Sequence, residues 1–280
     1  MIHTTLPPLN LAWLLPFAAA LLLSIPSAHA QLEHKGPAAS IALAATLPPY
    51  DVVSVKQNVS QNISGDVWSS TEIGIDHFAA TNVPLKQILE FAYDVREDQI
   101  FGLTGPVSSA RFDIVAKVLA PEGGAPPKLS DTQLAAMFIP LLNDRFHLTA
   151  HLETKTLPVY ELVVARGGPK FQLSQTKAPG GGGGGGKGAS LSLDFKGISM
   201  PDLASMLSDA VHRKVIDKTG LAVRADITLK WTDDVATQQG GPDVISIFTA
   251  LEEQLGLKLQ PSKGPVDTLV IDHAEMPSEN

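Results

Sequence analysis

The segment His147-Leu-Thr-Ala-His151-Leu-Glu153 brings together residue types that ligate metals and move protons. As a strand it places residues 147, 149, 151 and 153 on one face, with Phe146, Leu148, Ala150 and Leu152 on the other. His151 and Glu153 then stand about 6–7 Å apart, close enough for one ion to bridge them. His147 is about 13 Å from His151 on the same arithmetic, too far to share that ion. In a helix the two histidines would stand at i and i+4 and could chelate zinc. The apolar alternation favours the strand, and a solvated sheet face over a metal centre. His151 and Glu153 are therefore the first binding residues to inspect. A metal-dependent hydrolase, the rival reading, would have to be built on His147, His151 and Glu153.

Asp217, Asp226, Asp233 and Asp234 form a second polar group. Asp217-Lys-Thr-Gly220 has turn chemistry, with Gly220 supplying a positive φ. Asp226 repeats Asp113 near a strand start, which favours a structural partner, such as the preceding arginine, over half of a catalytic pair. Nucleophile signatures are missing: no Gly-x-Ser-x-Gly, no Ser-x-x-Lys at a helix start and no His-Glu-x-x-His occurs. The glycine run Gly180 to Gly186 is not followed by Lys-Ser/Thr in phosphate-loop spacing. No catalytic residue and no cofactor is expected. Trp68, Tyr93, Tyr160 and Trp231 sit among apolar neighbours, which suits core or edge packing better than a stacking platform.

The elements that must position these residues come in two similar sets. Arg111-Phe-Asp-Ile-Val-Ala-Lys117 is echoed by Arg224-Ala-Asp-Ile-Thr-Leu-Lys230, with Arg, Asp, Ile and Lys in register. A helical pattern precedes each copy, Val83 to Val95 and Met200 to His212. Asn82 is placed to cap the first, and Pro84 falls where a missing N–H costs nothing. Ser130-Asp-Thr-Gln133 and Ser199 with Asp202 have capping-box spacing, and Asp243 or Ser246 opens the last helix, stopped by Gly256. Tyr50 to Lys56 alternates as a strand. Phe146 to Leu152 and Val159 to Ala165 read as one hairpin, turned around Lys155 to Pro158. Leu257 to Gln260 and Thr268 to Asp272 read as another, turned at Lys263-Gly-Pro265. The expectation is an α+β protein of two similar lobes with internal duplication, each lobe having largely antiparallel strands and about two helices. The first lobe covers 50–173 and the second 190–280. Residues 174–189 are a Gly-rich linker or loop, about 15 residues spanning roughly 20 Å. The lobes are expected to touch.

Residues 1–30 read as a secretory signal: Leu11 to Ile25 is almost wholly apolar and Ala28-His-Ala30 supplies a cleavage site. Residues 31–49, rich in Ala and Pro, form a loose leader. The expected location is extracytoplasmic, periplasmic or secreted, with no membrane-spanning segment after cleavage. A net charge of −8 without a basic cluster disfavours nucleic acid as a partner. The absence of cysteine excludes disulfides, thiol nucleophiles and thiolate metal sites. Roughly 250 residues remain after the signal, enough for one large or two small cores.

Many ordered phrases together carry a resemblance. They are Tyr50-Asp-Val-Val-Ser-Val-Lys56, Arg111 to Lys117, Leu141-Leu-Asn-Asp-Arg-Phe-His-Leu148, His151-x-Glu-Thr-Lys155, Pro158-Val-Tyr160 and Val215-Ile-Asp-Lys-Thr-Gly220. Leu255-Gly-Leu-Lys-Leu259, Lys263-Gly-Pro-Val266, Val270-Ile-Asp272 and Glu275-Met-Pro-Ser-Glu-Asn280 continue the series. The chain resembles the soil-associated family of uncharacterised exported proteins expanded in Acidobacteria, from Tyr50 to the last residue. The resemblance implies export and a shared fold, and no catalytic residues to carry over. Related domains attached to membrane metallopeptidases of the antibiotic-sensor type imply a sensing or ligand-binding role. A fainter likeness is to the short βαβ modules that precede secretins and TonB-dependent receptors, which bears on fold alone. The leading expectation is a non-catalytic module binding a protein, peptide or envelope component through exposed sheet edges, with sites sought at His151, Glu153 and the lobe junction.

Overall fold

In the strand Arg111–Lys117, Phe112, Ile114 and Ala116 are buried and alternate with half-buried or exposed neighbours, the period of a sheet with one face on a core. The computed structural model describes residues 36–59, 70–74, 76–119, 124, 128–176, 182–187, 190–232 and 245–277. The expected export signal, Trp68, Asp233, Asp234, Asp243 and residues 278–280 lie outside the described residues. The strands are β1 (Val52–Gln57), β2 (Ser70–Ile73), β3 (His77–Pro84), β4 (Ile100–Phe101), β5 (Arg111–Lys117), β6 (Thr149–Val164), β7 (Gln172–Leu173), β8 (Gly182–Lys187), β9 (Ser190–Ser199), β10 (Val215–Asp217), β11 (Arg224–Thr232) and β12 (Leu257–His273). The helices are α1 (Pro37–Ala44), α2 (Leu85–Tyr93), α3 (Asp131–Ala136), α4 (Phe138–Arg145), α5 (Met200–Ala210) and α6 (Ile247–Ala250), the last continuing as a wider turn through Leu255. This is an α+β protein with largely antiparallel sheets.

Two sheets share one plan. The first has the order β1-β5-β3-β2 and the second β7-β11-β9-β8. Each carries a bulge beside its Arg-x-Asp strand, at Asn82 in β3 and near Gly197 in β9, and both residues are left-handed (φ 58° and 67°). A bulge leaves an N–H and a C=O outside the ladder, and these need other partners. In the first sheet Asp113 Oδ1 accepts from Asn82 N and from Asn58 Nδ2, both at 2.8 Å, while Arg111 Nε donates to Asn82 O at 2.9 Å. In the second, Asp226 Oδ1 accepts from Gly197 N at 3.0 Å and Arg224 Nη1 donates to Gly197 O at 2.7 Å. The repeated Arg-x-Asp is thus a clasp on a bulge: each aspartate accepts the bulge's backbone N–H, with Asn58 or Ser174 as a further donor, and does not pair with the preceding arginine. Asn82 belongs to this clasp instead of capping α2, which begins after Pro84 with no side-chain cap. The Ser130, Ser199 and Ser246 caps are formed as the spacing required.

The third sheet differs from the sequence expectation. The two hairpins are two continuous strands, and β6 pairs antiparallel with β12 from Val164–Leu257 to Thr149–His273. Pro158, Pro261, Gly264 and Pro265 look like turn formers but lie within this ladder. Tyr160 N–H points away from β12, to Lys214 O. By the two-residue period the nitrogens of Pro158, Pro261 and Pro265 also face the outer edges, where a missing donor breaks no ladder bond. β10 and β4 cover only the two ends of the ladder, each in parallel pairing, giving the order β10-β6-β12-β4.

Each long strand serves two cores. Ala150 and Leu152 of β6, with Leu269 and Ile271 of β12, pack in the first core with Phe78, Phe112, Phe138 and Phe146. Leu162 of β6 with Leu257 and Leu259 of β12 pack in the second, among Met200, Leu203, Leu229 and Leu251. Two further expectations need correction. Residues 37–44, expected within a loose leader, form α1, an Ala-rich segment with Pro37 at its first turn, and Tyr50 OH reaches Leu134 O at 2.8 Å. Residues 182–187, expected within a Gly-rich linker or loop, form the edge strand β8, paired antiparallel with β9 from Gly182–Phe195 to Lys187–Ser190.

Asp226 is held below the usual carboxylate range by the Ser174 hydroxyl first and the Gly197 N–H second. Its contribution to stability is therefore present above the unfolded carboxylate pKa of about 4 and lost as pH falls through the lower folded value. Asp113→Ala leaves the buried part of the first clasp without its acceptor, and a loss of roughly 1–3 kcal/mol in denaturant unfolding is expected. An unchanged midpoint would mean that the bulge is held by something other than this carboxylate.

Candidate binding surfaces

His151 and Glu153 lie on the exposed face of β6, whereas His147, expected on the same strand face, falls before the strand, and the three do not converge. His151 Nδ1 lies 2.8 Å from Asp272 Oδ2, across the ladder on β12. Glu153 pairs with Lys155 instead. His147 is 3.9 Å from Glu275 Oε2, and Glu275 Oε1 meets His273 Nε2 at 2.9 Å. Apart from Lys155, which is 30 % exposed, these side chains are at least half exposed, where ion pairs stabilise weakly. No three His, Asp or Glu side chains among the described residues are arranged to hold a metal ion. Asp217 is part of a turn: its Oδ1 accepts from Thr219 N at 2.9 Å, and Gly220 follows with φ 69°. Tyr93 and Trp231 are buried, and Tyr160 stacks edge-on with Phe248 beneath Arg213.

His147 has a backbone explanation. It sits between α4 and β6 with φ 46°, as Gly256 sits between α6 and β12 with φ 64°. Both chains turn there through the left-handed region. At Gly256 a Cβ would lie 2.1 Å from Gly168 O, so only glycine fits.

Open sheet edges fall into two kinds. The ladder's middle is blocked by the outward prolines, and β11 is sealed by Gln254, whose Oε1 accepts from Lys230 N at 3.0 Å while its Nε2 donates to Lys230 O at 2.7 Å. The outer edge of β1 carries neither device. Asn58 N bonds inward to Arg111 O, so the N–H groups of Val53, Val55 and Gln57 face outward, and no hydrogen bond to them is found among the described residues. Beside this edge Val52, Val115 and Leu119 are exposed by 45, 49 and 51 %.

The meeting of the two halves holds a cavity of about 240 Å³, lined by Gly36, Glu90, Asp94, Arg96, Ser205, Asp209 and Lys214 among others. Residues of both halves line it, with Glu90, Asp94 and Gln99 from the first and Ser205, Asp209 and Lys214 from the second. Gln99 is spent on structure: its Oε1 accepts from Arg96 N and its Nε2 donates to Asp267 O. Arg96 Nε and Nη2 are buried without a hydrogen-bond partner. Asp98 Oδ1 lies 3.3 Å from Nε, near enough for attraction but outside hydrogen-bonding geometry. Burial, then the Arg96 charge, pushes the Lys214 ammonium below its ordinary pKa. Burial, then Glu97, pushes the Glu90 carboxyl up. Sequence reasoning pointed to the junction but not to these residues, which carry no motif.

A family model described as "Protein of unknown function (DUF3738)" matches residues 86–274. The chain belongs to this family. No curated protein and no solved structure matches it. The DUF3738 match takes in Arg96, Lys214, His151 and Glu153, and begins after β1.

Replacing His147 by glycine removes a left-handed β-carbon and one long, exposed ion pair. Stability should be unchanged or rise by up to about 1 kcal/mol. A clear drop in the thermal midpoint would assign the imidazole a structural role that its backbone position does not.

Proposed function

We propose that this DUF3738 protein is a non-catalytic binding module that captures an extended segment of a protein or peptide by strand addition, outside the cytoplasm. The observation that carries the reading is the outer edge of β1. Among the described residues it offers a row of backbone groups without partners next to Val52, Val115 and Leu119, whereas the β6–β12 ladder is blocked by outward prolines and β11 is sealed by Gln254. Main-chain hydrogen bonds would supply affinity there, and the flanking apolar side chains would select alternate residues of the incoming strand. The apolar run Leu11 to Ile25 and the Ala28-His-Ala30 site support export, which places the partner in the envelope or beyond. A metal-dependent hydrolase on His147, His151 and Glu153 has less support, because hydrolysis needs side chains that converge and these three face separate partners.

Val53→Pro tests the reading. Its N–H faces outward, so proline costs no ladder bond, yet it removes a donor from the docking edge and adds bulk there. Captured partner from an envelope extract should fall about tenfold or more while the thermal midpoint stays within a few degrees. With wild-type protein, partner binding should slow hydrogen exchange at Val53, Val55 and Gln57. Equal capture by the variant, or unprotected β1 amides in the complex, would overturn strand addition at this edge.

A further inference from the structure

The side chains along β1 differ from one end of the strand to the other. Alternation with the buried Val55 puts Val52, Ser54 and Lys56 on the solvent face of the sheet, level with Lys117, Val115 and Asp113 of β5. Lys56 is exposed, and no hydrogen bond or ion pair to it is found among the described residues. The carboxylates around it already have partners. Asp113, directly across from Lys56, accepts from Asn82 N and Asn58 Nδ2. Asp51 accepts from Leu119 N at 2.7 Å, and Asp76 meets His77 Nδ1 at 2.8 Å. Lys117, the other cation on this face, has the Asp76 charge nearby. The edge therefore carries an unmatched cation at its Lys56 end. At its Val52 end it carries the exposed apolar group Val52, Val115 and Leu119.

We infer that the segment taken up at β1 is an extended peptide of acidic–apolar pattern, with a carboxylate opposite Lys56 and apolar side chains opposite Ser54 and Val52. This deepens the reading of strand addition at β1 and rests on it. Every pairing in this sheet is antiparallel, and a strand that continues the sheet runs against β1. The acidic residue then comes first in the peptide, with apolar residues two and four positions later on the same face. A side chain directly opposite Lys56 stands about 5 Å away across the new ladder, within reach of an ion pair. Ser54 is small, so the apolar side chain opposite it can lean toward Val115. The one opposite Val52 covers that residue and faces Leu119. A second copy of this chain is a poorer occupant. The strand β1 holds no acidic residue, so pairing it with itself would leave Lys56 unmatched, and one register would set two lysines directly opposite.

The test is titration of the full chain, with amide hydrogen exchange as readout, using the peptide acetyl-Thr-Glu-Thr-Val-Thr-Val-Thr-amide. Two control peptides carry Lys in place of Glu, or Ser in place of both Val. The acidic peptide should bind with a Kd below about 1 mM and slow exchange at Val53, Val55 and Gln57. The Lys peptide should bind about threefold or more weakly, and so should the Ser peptide. Lys56→Glu should invert the order of the Glu and Lys peptides. Lys56→Gln, which sets no like charge beside Asp113, should bind the two about equally. Equal binding of both charged peptides by the wild type, with β1 protected in each case, would overturn the acidic partner and leave strand addition standing. So would failure of all three peptides while a partner captured from an extract still protects β1. Unprotected β1 amides with peptide and captured partner alike would overturn strand addition itself. Protection of β1 that grows with protein concentration alone would overturn the peptide partner in favour of a second copy.

Discussion

The long antiparallel ladder between β6 and β12 is the constraint on which the rest of this molecule depends. One strand comes from each half of the chain, and each crosses from the first hydrophobic core to the second. A slip of one residue in this pairing would turn Leu152, Leu162, Leu259 and Leu269 to the wrong face at once, so both cores hold the same register. The short parallel strands β4 and β10 dock only on the ends of the ladder, and each is contributed by the half opposite to the strand it joins. The halves are therefore interleaved through backbone hydrogen bonds, not merely packed.

That interleaving creates the polar junction. The ends of α2 and α5, and the segments leading from them into β4 and β10, are brought to one place because β6 and β12 lie side by side. Arg96 is enclosed there with Nε and Nη2 lacking a hydrogen-bond partner and only Asp98 beside it, while burial pushes the Lys214 ammonium down and the Glu90 carboxyl up. Cores usually avoid such arrangements, and where they persist the cost is commonly offset by a bound partner or a functional requirement. The outer β1 edge is a comparable concession in the first sheet. Outward prolines guard the β6–β12 ladder and the Gln254 amide guards β11, and among the described residues no such device lies along the outer edge of β1.

Much of the local structure was legible. The Ser130, Ser199 and Ser246 caps, the Gly256 stop and the Arg-x-Asp strands all rest on interactions within a few residues or on a period of two, and these are written in sequence. The role of Asp113 and Asp226 was legible as structural but not as a bulge clasp, because the bulge at Asn82 or Gly197 lies on a neighbouring strand some thirty residues away. Pro158, Pro261 and Pro265 misled for a related reason. Proline forbids a ladder donor only on the side where its nitrogen points, and that side is set by the partner strand. His151 and Glu153 were placed on the expected face, yet their partners, Asp272 and Lys155, were not foreseeable from spacing alone.

By itself the sequence determined an α+β chain without cysteine chemistry, its capped helices, its alternating strands and an acidic, motif-free surface, since composition and short-range periodicity are enough for each of these. Only the tertiary structure decided that the two apparent hairpins are one shared ladder, that the glycine run is an edge strand, and that Arg96, Lys214 and Glu90 meet. Those outcomes depend on which distant backbone groups find one another, and long-range pairing leaves no mark in the spacing of neighbouring residues.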